Sequence, residues 1–268
     1  MKVAFAAARS SPGVTTAMLA CASVWPGRVL LVEASEDGGA LAARFGLPVE
    51  PGLTTLAAAS RHTTNGEGPS GLLAEHVQPL PGTDRIAALI GPTSTEPAQA
   101  LLRTAAGRLA GMLDQADRDV LIDAGRLPTT PLAGPLLESA DQLVLVVRPR
   151  VEELTALAHR MQLLTSLGPS PVVLLVGERP YGPDEVADTL GVPVVGVLAH
   201  DPGAADALAA AGSDRRLARS ALLRSATGIV DTLSGGRPAP GRPEPASGQV
   251  NGRAASGRRR LLAGRSRT

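Results

Sequence analysis

Apolar residues in this chain fall into two alternating patterns, short unbroken runs and longer stretches with helical spacing. The runs are KVAFAAA (2–8), RVLLVEA (28–34), a weaker RIAALI (85–90), DVLIDAG (119–125), QLVLVVRP (142–149), PVVLLVGE (171–178) and VPVVGVLA (192–199). Continuous apolar runs rich in β-branched residues suit strands buried on both faces, as in a parallel sheet covered by helices. Helical spacing occupies about 15–24, 53–60, 97–116 and 214–233, and the last of these places Leu222, Ala226, Ile229 or Val230, and Leu233 on one face. Strands alternating with helices predict an α/β domain, doubly wound, with a mostly parallel sheet of about seven strands and helices on both faces.

The pattern stops after Leu233. The segment SGGRPAPGRPEPASGQVNGRAASGRRRLLAGRSRT has no core-forming periodicity and is rich in Gly, Pro, Ser and Arg. This predicts a folded body over 1–233 and a disordered tail over 234–268. The tail holds eight arginines and one acid, Glu244, for a net charge of +7. The whole chain is +1, so the body carries −6.

Composition narrows the function classes. Aromatic residues are limited to Phe5, Trp25, Phe45 and Tyr181. The core is therefore aliphatic, and the chain lacks a base-stacking platform for single-stranded nucleic acid. The lone Cys21 excludes an intramolecular disulfide and reads as a small buried residue on a helix. No apolar run reaches the roughly 18–20 residues of a membrane span. The apolar part of the N-terminus is too short for a signal peptide and reads as a first buried strand. A cytoplasmic protein is the expectation. His62, His76, His159 and His200 are scattered without metal or triad spacing.

One stretch carries candidate chemistry. Between the first strand and the first helix lies AARSSPGVTTAML (7–19), small residues ending in Gly13, then Thr15 and Thr16. A phosphate cradle needs backbone N–H groups converging at a helix N-terminus, a cation for the phosphates and a hydroxyl for magnesium. Gly13 suits the turn and Thr15 is placed for the metal. Val14 stands where the lysine belongs, and Pro12 removes an N–H donor. Lys2, the only lysine, sits at the wrong end of the strand. By itself the loop fits a capped strand-to-helix turn about as well.

The order of segments discriminates further. GVTTAMLA is followed by GRVLLVEASEDGGALAARFGL, DRDVLIDAGRL, ADQLVLVVRPRVEELTALAHRMQLL and PVVLLVGERPYGPDEVADTLGVPVVGVLAHDPGAADAL. The chain resembles the MinD/ParA family of deviant Walker P-loop ATPases over about residues 1–233. Against that family's loop, GKGGVGKTT, this chain reads A-R-S-S-P-G-V-T-T. Arg9 takes the place of the signature lysine, which in the family reaches across a dimer, and Val14 takes the place of the second lysine. Gly13, Thr15 and Thr16 match, with Ser10 and Ser11 inside the cradle. The family's Asp-x-Asp after the second strand reads Glu33-Ala34-Ser35, so Ser35 stands at the water-positioning aspartate, with Glu36 and Asp37 adjacent. Gly38 matches. Asp123 matches the Walker B acid, which holds magnesium with Thr15. The family's Pro-Pro-Gly beyond it is absent, the adenine-reading asparagine falls at Gly177 or Glu178, and Asp201-Pro202 is retained.

The resemblance implies a P-loop NTPase-like fold, ATP and Mg as ligands, and a homodimer. The replacements imply that ATP binding is weakened or lost and that hydrolysis fails, leaving a spatial-positioning or scaffold subunit. Members with an abnormal loop resemble CpaE/TadZ proteins of Tad-type pilus and secretion machinery, and chromosome or plasmid partitioning is the other process. The competing reading is an active ATPase that binds Mg-ATP with Arg9 as the cation, since arginine is a good phosphate fork. A biosynthetic enzyme of the same superfamily is disfavoured by the lack of a further catalytic cluster. The basic tail offers membrane-surface or DNA-phosphate contact, although Leu261 and Leu262 give too little apolar surface for firm anchoring and a solvated tail is the simpler reading.

Overall fold

The computed structural model describes residues 1–61, 69–210 and 215–235. Most of the Gly/Ser/Thr-rich loop after Ser60, and the tail from 236, lie outside the described residues. The strands are β1 (Lys2–Ala7), β2 (Val29–Glu33), β3 (Gln78–Pro79), β4 (Ile86–Leu89), β5 (Asp119–Arg126), β6 (Gln142–Val147), β7 (Pro171–Val176) and β8 (Val194–Leu198). The helices are α1 (Val14–Val24), α2 (Leu41–Phe45), α3 (Leu53–Ala59), α4 (Pro69–His76), α5 (Thr95–Leu113), α6 (Gly134–Glu138), α7 (Val151–Ala158), α8 (Met161–Thr165), α9 (Pro183–Leu190), α10 (Pro202–Ala209), α11 (Arg215–Ala218) and α12 (Ala221–Leu233).

The strands form one sheet in the order β3-β4-β2-β5-β1-β6-β7-β8. Every neighbouring pair is parallel except β3 with β4. All seven expected strands are present, and the sheet has an eighth. That extra strand is two residues long and contains Pro79, which confines it to an edge and leaves no periodicity to detect.

Successive strand side chains point to opposite faces, and each face has its own core. Along β1, Ala4 and Ala6 join a cluster with Leu53, Leu109, Leu136 and Leu157, under α3, α5, α6 and α7. Val3, Phe5 and Ala7 join the other, with Met18, Leu41, Leu208 and Ile229, under α1, α2, α10 and α12. Cys21 is fully buried in this second core, and burial pushes its thiol pKa up to about 12, so it packs as a small apolar residue. No helix among the described residues is long and apolar enough to cross a membrane.

The last helical stretch is divided. A continuous helix over 214–233 is the expectation, whereas α11 ends at Ala218 and α12 begins at Ala221. Ser220 is the reason: its hydroxyl accepts the Leu223 amide at 3.2 Å, a serine cap that starts a new helix. The expected face is otherwise intact, with Leu222, Ala226, Ile229, Val230 and Leu233 all buried.

The N-terminal strand ends form a separate polar edge. The Met1 ammonium and the Trp25 indole Nε1 each donate to Asp119 at 2.8 Å, and Lys2 pairs with Asp114. Lys2 is thereby committed far from the glycine loop. In such sheets ligands bind beyond the carboxyl ends of the strands, the edge where the loop after β1 and the acid of β5 meet.

The β8–α12 contact supplies a test of the second core. A Cβ placed on Gly196 would lie 2.7 Å from Ile229 Cγ1, so helix and strand approach closely there. Ile229→Ala is expected to cost about 2–5 kcal/mol in urea unfolding. The exposed neighbour Asp231→Ala should change stability by no more than about 0.5 kcal/mol.

Candidate functional site

The loop from Ala8 to Gly13 leaves β1 and turns into α1. Its geometry is set by Ser10, at φ 62°, and Gly13, at φ 103°. Gly13 lies in the left-handed region that glycine tolerates best, and its carbonyl accepts the Ala17 amide at 2.8 Å to open the helix. Pro12 is buried, while Arg9, Ser10 and Ser11 are exposed. Arg9 makes no hydrogen bond or ion pair among the described residues.

Val14 is only 7% exposed and packs into the core cluster that contains Met18 and Leu41. The residue in the lysine's place is therefore a structural apolar contact. The next residue points the other way. Thr15 Oγ1 donates to Asp123 Oδ2 at 2.5 Å, and Asp123 Oδ1 accepts the Gly125 amide at 2.9 Å. Burial raises the Asp123 carboxyl above the usual range, and the Thr15 and Gly125 hydrogen bonds offset this only in part. A hydroxyl beside a buried carboxylate suits a hard cation that keeps several waters. Thr15 and Asp123 are the residues here that fit magnesium.

The polar residues at and just beyond the end of β2 are each engaged, three with backbone amides and one in an ion pair. Glu33 is buried, and its carboxylate accepts backbone amides from Ala40 at 2.6 Å, Leu41 at 2.7 Å and Gly91 at 3.1 Å. Burial raises its pKa, opposed by those amides. Ser35 packs against Gly125, and its hydroxyl accepts the Asp37 amide at 3.3 Å. Glu36 is 5% exposed and accepts the Leu132 amide at 2.6 Å. Asp37 is exposed and pairs with Arg126 at 3.2 Å. Glu36 is thus committed to a backbone amide, and Asp37 is drawn outward to an exposed arginine.

Thr16 and Gly13 line a cavity of about 150 Å³ that runs past Val176 and Leu198 to His200, Asp201 and Leu222. Asp201 caps α10 by accepting the Ala204 amide at 3.1 Å. Two arginines outside the sequence-based set also reach the loop. Arg148 Nη2 donates to the Ser11 carbonyl at 3.2 Å. Arg160 Nη1 donates to the carbonyls of Ala8 at 2.9 Å and Leu127 at 2.5 Å, and Nη2 to that of Pro128. Arg148 had one signal available, a cation directly after a strand that pairs with the loop-bearing strand. Arg160 had none, because its partners are carbonyls from two distant loops.

No family model matches the chain, and no curated protein matches it in sequence. Solved structures do. The ParA family ATPase of Chlorobium tepidum TLS superposes with a TM-score of 0.70 at 17% identity, covering 87% of this chain and 97% of that one. The septum site-determining protein MinD complexed with Mg-ADP, from Pyrococcus horikoshii OT3, gives 0.67 at 16% identity, covering 87% and 95%. An ATP complex of a McdA variant from Cyanothece gives 0.64 at 17% identity, covering 87% and 96%. The structural neighbours are ParA/MinD-family ATPases, and this chain has their α/β P-loop fold.

The Asp123 environment generates a pH-dependent prediction. Its pKa is raised in the folded state, so folding favours the protonated form. Ionisation therefore costs stability above the usual carboxylate range, and the cost disappears in acid, where both states are protonated. Asp123→Asn keeps an acceptor for Gly125 and removes the charge. The variant should have a higher Tm than the parent at pH 8, by about 2–4 °C for each kcal/mol removed. The difference should shrink as pH falls towards about 4, near the ordinary Asp value. Thermal melts across that range decide it, and a constant difference would contradict the assignment.

Proposed function

We propose that this chain is a MinD/ParA-like positioning or scaffold subunit whose phosphate loop has lost hydrolytic chemistry and most of its affinity for ATP. The observation that carries this reading is the burial of Val14 in the apolar core beside an intact Thr15–Asp123 pair. The metal-holding half of the site persists while the position that would supply charge to the phosphates serves packing. Ser35, the committed carboxylates of Glu33 and Glu36, and the outward turn of Asp37 to Arg126 add support, since none of them offers a buried, unengaged acid to orient a water.

Magnitudes support weak binding. A hydrogen bond to a charged group is worth about 1.5–3 kcal/mol. Loss of the lysine, the Pro12 donor and the adenine contact takes several such bonds, and every 1.4 kcal/mol or so is tenfold in affinity. A micromolar site falls towards millimolar. Hydrolysis falls further, since stabilisation of transition-state charge and placement of the water both suffer. Function then resides in surfaces rather than turnover. In this reading residues 1–233 form a cytoplasmic, homodimeric body that engages a protein partner of Tad-type pilus or secretion machinery, or of partitioning machinery. Residues 234–268 form a solvated basic tail, with membrane-peripheral or DNA contact as its alternative roles.

The test is calorimetric titration with Mg-ATP alongside phosphate release, on the parent and Thr15→Ala. The expected outcome is no turnover above background and a Kd no tighter than about 1 mM, given the losses above. Micromolar binding with turnover, both abolished in Thr15→Ala, would overturn the reading and establish an ATPase.

A further inference from the structure

Val14 leaves the first position of α1 without a cation and the loop's own Arg9 is exposed, yet the cavity beside the loop contains an anchored one. Arg148 stands one residue past β6, the strand paired with β1 on the side away from β5. Its side chain lines the cavity together with Gly13 and Thr16. Nη2 reaches the Ser11 carbonyl at 3.2 Å, and Nη1 lies 3.9 Å from Glu153 Oε1. Glu153 is 4% exposed and is itself anchored, because Oε2 accepts the Arg148 amide at 2.9 Å. A guanidinium carries five N–H donors in a planar fork. One hydrogen bond and one ion pair engage only part of that fork, which leaves donors for an anion in the cavity.

The cavity has the make-up of a nucleotide site. Arg148 follows β6, whereas Asp201 follows β8, two strands further along the sheet, on the order of 10 Å away at ordinary strand spacing. Between them the wall is apolar, from Val176, Leu198 and Leu222. A ligand with an anionic end, a flat apolar body and a polar far end matches that sequence of surfaces. Resting on the reading of the loop as a phosphate site, we propose that Arg148 is the anion-binding residue of this cavity. It binds the phosphates of a nucleoside di- or triphosphate weakly, in the millimolar range, from the β6 side of the loop rather than from the position that Val14 occupies.

Arg9 is the obvious rival and is less well placed. It is exposed, without a partner among the described residues, and must lose its rotamer freedom to bind. Arg148 is already held against the loop, so its ordering cost is met before the ligand arrives. Glu153 sets the strength of the site, because it positions the guanidinium and also cancels part of its charge.

A ³¹P NMR titration of Mg-ADP and Mg-ATP into the full chain tests this, with thermal melts to confirm folding of each variant. Arg148→Ala should weaken binding by about 10- to 100-fold, Arg148→Lys should recover part of the loss, Glu153→Gln should tighten binding, and Arg9→Ala should leave it unchanged. If Arg148→Ala fails to fold, Arg148→Lys and Glu153→Gln carry the test by moving affinity in opposite directions. Loss in Arg9→Ala with Arg148→Ala unaffected overturns the proposal and names Arg9 as the cation, leaving the phosphate-site reading intact. No binding by the folded parent at any concentration overturns both the proposal and the phosphate-site reading, and leaves the scaffold role untouched.

Discussion

Two carboxylates lie buried side by side where the end of β2 meets the middle of β5, Glu33 and Asp123 being register partners in adjacent parallel strands. An ionised carboxylate in such a place is costly unless donors surround it. The chain supplies them by bending every neighbouring loop inward. Glu33 draws the start of α2 through Ala40 and Leu41, and the end of β4 through Gly91. Asp123 draws its own strand end through Gly125 and the first turn of α1 through Thr15. Even the small residues follow from this demand, since a Cβ on Gly91 would lie 2.5 Å from the Glu33 carbonyl oxygen. The carboxyl edge of the sheet is organised around these two charges, and the candidate site inherits its shape from them.

The cations at the same edge are used in an unusual way. Arg160 gathers carbonyls from the loop after β1 and the loop after β5, and burial lowers its pKa. Arg148 holds a third loop carbonyl. Glu36 fastens the segment before α6 by its backbone at Leu132. Loops that in a working phosphate switch are ordered by ligand are here ordered by side chains of the protein itself. Such loops need no nucleotide to hold their form.

The sheet was legible because parallel strands covered on both faces leave continuous apolar runs, and all seven runs from KVAFAAA to VPVVGVLA are strands. Strand β3 was not, since two residues ending in proline carry no period. The break at Ser220 was missed although a serine before an apolar helix is a capping signal, because the apolar face continues across it. At the site, Gly13, Thr15 and Asp123 could be located from the loop and the strand order. The fates of Val14, Glu33 and Glu36 could not. Whether a valine packs or a glutamate binds an amide depends on which distant backbone lies opposite, and that is a property of the tertiary fold.

The packing at residue 14 shows how a fold can be held independently of the chemistry it can host. Val14 contributes apolar contact to the same cluster as Met18 and Leu41, so the position that loses charge gains burial. A lysine there would have to carry its ammonium out of that cluster, because an unpaired charge is costly in an apolar core. Valine fills the same place with apolar area and carries no such cost. Burial at this residue favours an apolar side chain, phosphate chemistry would favour a cation, and the chain carries the apolar one. The Thr15–Asp123 pair is under no such pull, because it satisfies a buried carboxylate whether or not a metal is present. Its persistence is what a chain keeps for folding alone, and it is for that reason weaker evidence of catalysis than the identity of residue 14 is against it.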